Sequence, residues 1–176
     1  MNVLEFCRPE THPDIPNVWN VLAPYSAAAQ AEQGLSFYKQ IYREPAAVHK
    51  KLQHITNKEV EQINRRLPQI ISLADPYANP KTVSEQHCQD FSLPYLFRLL
   101  CGLNPVRGGV VHICPYCSGL LEKNKLVRVE TRTCVPKPYA DILSEYSQAE
   151  KLIVTGQQCI HTETVSRFFV LHLINI

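Results

Sequence analysis

Gly109-Val110-Val111-His112-Ile113-Cys114 is a short apolar run that ends in two metal-ligand side chains. Gly109 to Ile113 reads as a strand, and alternate side chains of a strand share a face. His112 and Cys114 can therefore point at one ion while Ile113 packs the other way. A second strand-like run, Lys151-Leu152-Ile153-Val154-Thr155, leads to Cys159. Two strand ends can then converge to give a His/Cys/Cys set, the donor combination that suits zinc with one position left open.

Outward from this run, strands and helices alternate. Val48, Leu52, Ile55, Val60, Ile63 and Leu67 recur close to helical spacing between Pro45 and Pro68, with charged residues between them, which predicts an amphipathic helix with proline at its start and just past its end. Ile70 to Ala74 reads as a buried strand ending at Asp75-Pro76. A second helix is expected from Ser84, a good N-cap, to Cys101, bent where Pro94 removes a backbone donor. Further on, Ser118 to Lys123 reads as a short helix, Leu126 to Glu130 as a strand, Tyr139 to Tyr146 as a helix, Leu152 to Thr155 as a strand and Thr162 to Leu173 as a closing helix. The pattern predicts an α/β fold with about four parallel strands and crossover helices. Ligands gather at the carboxyl ends of such strands, here Asp75, His112 with Cys114, the Thr131 to Cys134 stretch, and Gly156 to Cys159. Residues 1–36, with Pro9, Pro13, Pro16 and Pro24 and an Ala-rich end, read as an irregular arm closing in a short helix at most. Residues 37–176 form the domain.

The chain has 176 residues, 45% hydrophobic and 19% charged, with a net charge of +2. That is an ordinary globular composition with room for one core. No apolar stretch approaches a membrane span, and the dispersed basic residues give no footprint for nucleic acid. The first residues hold an acid and no basic leader region, so a cytoplasmic, reducing location is expected. Seven cysteines, an odd number spread along the chain, argue against a disulfide framework and for buried, catalytic or metal-bound thiols.

From about Leu35 to Cys159 the chain resembles the uroporphyrinogen decarboxylase superfamily, especially its zinc-dependent, corrinoid-linked methyltransferases. The resemblance rests on Phe37-Tyr38-Lys39-Gln40-Ile41-Tyr42-Arg43-Glu44-Pro45, Ile71-Ser72-Leu73-Ala74-Asp75-Pro76, Phe91-Ser92-Leu93-Pro94-Tyr95-Leu96 and Val110-Val111-His112-Ile113-Cys114, in that order. It implies a partial (β/α) barrel similar to the carboxyl-terminal half of a TIM barrel. It also implies zinc on His112, Cys114 and Cys159, a thiol substrate, and a methylated corrinoid carried by a partner protein. Asp75 is a further candidate ligand or substrate contact, and equally an Asp-Pro turn that ends a strand. Cys134 is an alternative third ligand. The first strand-helix units of the barrel are absent here, so a second copy, a complementing chain or the arm is expected to cover the open edges. The tetrapyrrole-binding residues of the decarboxylases belong to the absent half, which leaves porphyrinogen decarboxylation unsupported.

Two other readings use the same residues. One is a non-catalytic metal-binding or interaction module derived from the barrel. The other is dithiol redox exchange, because Cys114-Pro115-Tyr116-Cys117 is spelled like a glutaredoxin site. Cys88 and Cys101 read as core residues, His49 and His54 as part of a solvated face, and His87 as lying in a first helical turn.

Overall fold

The computed structural model describes residues 18–66, 68, 70–79, 82–103, 110–113, 115–138, 141–142, 145, 152–155 and 164–174. Their elements are β1 (Val18–Leu22), α1 (Pro24–Ala31), α2 (Leu35–Arg43), α3 (Pro45–Arg66), β2 (Ile70–Ala74), α4 (Glu85–Phe91), α5 (Leu93–Gly102), β3 (Val110–Ile113), α6 (Pro115–Lys123), β4 (Val127–Pro138), β5 (Leu152–Thr155) and β6 (Thr164–Leu173). They form two units. One is the sheet with α6; the other, helical, takes in Leu22–Arg66 and Asp75–Leu103.

Three helices of the helical unit start where local chemistry favours it. α3 opens on Pro45, whose missing N–H costs nothing in a first turn, and buries Val48, Leu52, Thr56 and Ile63 along one stripe. Ser84 caps α4, its hydroxyl accepting from the His87 amide at 3.2 Å. The helix expected from Ser84 to Cys101 is broken at Ser92, with Pro94 in the first turn of α5. Tyr25, Phe37, Leu52, Leu96, Leu99 and Leu100 fill the core of this unit, each less than 2% exposed. Tyr25 meets Phe37 edge to face with ring centroids 5.2 Å apart. α3 and α5 approach closely at Gly102, whose carbonyl accepts from Asn64 Nδ2 at 2.9 Å. A Cβ at Gly102 would lie 2.9 and 3.0 Å from the two methyl carbons of Val60, a side chain with one favoured rotamer in a helix. Gly102→Ala is expected to lower the unfolding free energy by about 1–2 kcal/mol in urea titrations, and Val60→Ala in the same chain to recover most of it. An unchanged midpoint in the single variant would contradict the close approach.

The sheet unit has six strands in the order β1-β2-β3-β5-β6-β4. β2, β3 and β5 are parallel neighbours, with Ile70, Val110 and Leu152 in one register row and Ser72, His112 and Val154 in another. β5 and β4 each pair antiparallel with β6. The α/β character is as expected, and β2, β3 and β5 are parallel neighbours among the described residues. The strand expected over Leu126 to Glu130 falls, from Val127 on, within the longer β4, which lies at one end of the sheet and runs antiparallel to β6. The closing helix expected over Thr162 to Leu173 is also corrected: Thr164–Leu173 is a strand. Val165, Phe168, Phe169 and Val170 are β-branched or aromatic, and burial of Phe168 and Val170 with exposure of Arg167 follows the period of two of a strand. Among the described residues β1 and β4 are the two ends of an open ladder, and no pairing joins them into a barrel. β1 is a strand within the stretch read as an irregular arm, and α1 fills the place of its short helix. The helix expected over Tyr139 to Tyr146 falls mostly outside the described residues. No described helix is long and apolar enough to cross a membrane.

Candidate functional site

The parallel strands end at Ala74, Ile113 and Thr155. His112 is the penultimate residue of β3, in register with Ser72 of β2 and Val154 of β5. Cys114 and Cys159, the ligands expected beside it, lie outside the described residues. Among the described residues no three His, Cys, Asp or Glu side chains are grouped to hold a metal. Cys117, the second thiol of the Cys114-x-x-Cys117 motif, is buried in α6. Cys134 lies inside β4, which continues to Pro138, and its Sγ is 3.7 Å from the Val165 carbonyl oxygen. It therefore does not stand at a strand end, because β4 extends well past Glu130 to pair with β6.

Asp75 is the best defined of the residues singled out from the sequence. It follows β2 directly and begins a turn in which the Ala78 amide donates to its carbonyl at 3.2 Å, with Pro76 supplying the fixed φ that such a turn favours. The strand-ending Asp-Pro turn and a polar role of the carboxylate thus coexist. The side chain is 4% exposed. One carboxylate oxygen accepts from the Ser26 hydroxyl and the other from the Ser92 hydroxyl, the latter at 2.5 Å. Ser26 Oγ in turn accepts from the Tyr77 amide at 3.0 Å. Ser26 comes from α1 and Ser92 from the break between α4 and α5, so one carboxylate gathers three parts of the helical unit. Burial pushes the Asp75 carboxyl up to about 6 against the pull of both serine hydrogen bonds.

Glu59 on α3 is a second perturbed carboxyl, and the sequence reading does not single it out. Burial, and after it the charge of Asp75, pushes Glu59 up to about 8. Its Oε2 is buried and has no hydrogen-bond partner among the described residues. Helical arithmetic offers a signal that would have found it: Leu52, Thr56 and Ile63 are buried on α3, and Glu59 falls between them on the same stripe. Of these two carboxyls, Glu59 is thus pushed the further up, and both are raised first of all by burial.

Aromatic and imidazole rings line the same unit. Tyr25, whose hydroxyl burial lifts well above the phenolic range, shares a 2.8 Å hydrogen bond with His87 Nε2. Burial also lowers His87 below the ordinary imidazole range. Phe91 has His87 on one side, centroids 5.3 Å apart, and His49 stacked at 4.6 Å. Tyr95 donates to the His49 carbonyl at 3.2 Å and lies 2.8 Å from His49 Nδ1. His49 is therefore half-buried against rings, not on the solvated face expected from its lysine neighbours, because α3 turns Lys50 outward and His49 toward Phe91.

Residues 1–133 match the family profile described as Uroporphyrinogen decarboxylase (URO-D). The matched segment contains Ser26, Glu59, Asp75, Ser92, His112 and Cys114 and ends before Cys134 and Cys159. No curated protein matches the chain.

Proposed function

The chain belongs to the uroporphyrinogen decarboxylase family, and from that membership we propose a zinc-dependent, methyltransferase-like protein that activates a thiol for methyl transfer from a methylated corrinoid. The observation that carries this reading is the parallel pairing of β3 with β5. Cys114 is the first residue after β3, and Cys159 is the fourth after β5. Neighbouring strands are about 4.8 Å apart, and four extended residues reach at most about 14 Å. Chain length thus permits the two cysteines, which follow adjacent strands, to reach one ion together with His112. His112, Cys114 and Cys159 would hold the metal, a donor set of the catalytic zinc class with one position left for substrate. Bound zinc keeps a coordinated thiol ionised at neutral pH, where a free thiol is mostly protonated. Asp75 spends both oxygens on serine hydroxyls, so it fixes the turn after β2, and the metal ligands would come from the other three residues. The open ends of the sheet at β1 and β4 favour a second copy or a complementing chain that completes a barrel half, and the methyl donor calls for a corrinoid protein and a small thiol as partners.

Protein purified without added zinc is expected to carry about one zinc per chain, and His112→Ala and Cys159→Ser each to lose most of it. Methylation of a small thiol by free methylcob(III)alamin is expected to fall at least about a hundredfold in both variants. Zinc unaffected by either change would reject the site. Full zinc occupancy without thiol methylation would reject catalysis and favour the non-catalytic metal-binding reading. A Cys114–Cys117 disulfide under mild oxidation, in protein free of zinc, would favour the dithiol reading.

A further inference from the structure

An open cleft of about 540 Å³ lies between the end of α1 and one face of α2. Ser36, Lys39, Gln40 and Arg43 line one wall, recurring at the three- and four-residue spacings that bring side chains onto one helical face. Gln33 and Glu44 also line it. Lys51 is paired with Glu32 and donates to Gln40 Oε1 at 2.8 Å. This contact has two consequences for the cleft. It neutralises Glu32, which would otherwise repel an anion, and it fixes the Gln40 amide with its oxygen toward Lys51, leaving the amide nitrogen as a donor. Lys39 and Arg43 have no ion-pair partner among the described residues. A lysine and an arginine one helical turn apart, with an amide between them and a hydroxyl about one turn before the lysine, form a row of donors without a matching acceptor among the described residues. Glu44, at the end of α2, is the one acidic side chain of the lining left uncompensated.

We propose that this cleft binds the phosphate group of a small phosphomonoester, with Lys39 and Arg43 as the charged clamp and Gln40 and Ser36 as neutral donors. An arginine fork matches the oxygens of a phosphate in pairs, and a lysine adds a point charge from the neighbouring turn. The volume exceeds what one phosphate fills, which leaves room for the esterified group toward Gln33 and Glu44, where hydroxyls would find acceptors.

Titration of the full-length protein with glycerol 3-phosphate and, separately, with inorganic phosphate, each followed by calorimetry at matched ionic strength, tests this. Saturable binding with a dissociation constant of about 1 mM or tighter is expected. Lys39→Gln and Arg43→Gln are each expected to weaken it about tenfold, and Lys50→Gln, an exposed lysine outside the lining, to leave it unchanged. Tighter binding of the ester would identify an ester site. Equal affinity for the two ligands would support the phosphate clamp and assign it to free phosphate. No saturable binding in the wild type would overturn the proposal, as would equal loss in Lys50→Gln, the mark of diffuse attraction to a basic surface. The substituted residues are exposed, so thermal unfolding of each variant is expected to match the wild type.

Discussion

Asp75→Ala is expected to lower the unfolding free energy by about 2–4 kcal/mol at pH 7, and by more at pH 5. The side chain holds two serine hydroxyls, Ser26 and Ser92, which are 0% and 2% exposed. Its removal leaves both buried without their acceptor, at about 1–3 kcal/mol each. An opposing effect makes the net smaller: the carboxylate is itself costly to bury, as its rise from the ordinary 3.8 to about 6 records. For a carboxyl whose folded value is raised, the native state holds the proton more tightly than the unfolded chain. Its contribution is therefore complete below pH 3.8 and is lost as pH rises through 6. The alanine variant escapes that loss, so the gap between the two proteins narrows from pH 5 to pH 7. Urea titrations at the two pH values measure this directly, and a gap that widens with pH would mean that Asp75 is stabilised in its charged form. Removal of Ser26 and Ser92 together in the Asp75→Ala background is expected to recover part of the loss, because no orphaned hydroxyl then remains.

The second large effect is a gain. Glu59→Gln is expected to raise stability by about 2–3 kcal/mol at pH 9 and to change it little at pH 5. Glu59 carries its proton in the folded protein up to about pH 8 and ionises near 4.5 in an exposed chain, so the wild type loses stability across that interval and stays at the lower level above it. A rise of this size corresponds to at most about 5 kcal/mol, and partial access of water to the outer part of the side chain reduces it. The amide keeps the shape and does not titrate. Glu59→Leu is expected to exceed glutamine at every pH, since it removes a buried oxygen without a partner and adds apolar contact with the stripe of Leu52, Thr56 and Ile63. The measurement is the difference in unfolding free energy between wild type and variant as a function of pH. A difference that does not change between pH 5 and pH 9 would show that Glu59 titrates normally.

These two residues also show how far the sequence carries. Asp75 was legible as a strand end because Ile70 to Ala74 is a continuous apolar run cut off by Asp-Pro. The helix over Pro45–Arg66, the break near Pro94 and the strands around Val110 and Leu152 were legible for similar reasons, since period and proline act locally. The partners of Asp75 were not legible: Ser26 and Ser92 are 49 and 17 residues away, and no spacing rule marks a serine that will meet a distant carboxylate. β6 was misread because Val165, Phe168, Phe169 and Leu171 satisfy a helical spacing as readily as a strand's. The decision belongs to pairing with β4 and β5, which is non-local. β1 was hidden in a proline-rich neighbourhood, and its assignment likewise depends on a partner, β2, far along the chain.

The position of β1 beside β2 bears on how the chain reaches its native state. The two strands are consecutive in the sheet, yet all of residues 23–69, with α1, α2 and α3, lie between them in sequence. Bringing the ends of such a segment together costs loop-closure entropy that rises with its length, and compaction of the three helices shortens the effective loop before the ladder forms. Zipping of β1 onto β2 should therefore follow helix assembly in time. A variant that weakens α3 without touching the sheet would then slow folding as well as speed unfolding, a signature that stopped-flow refolding of Leu52→Ala, at a buried position of α3, reads directly.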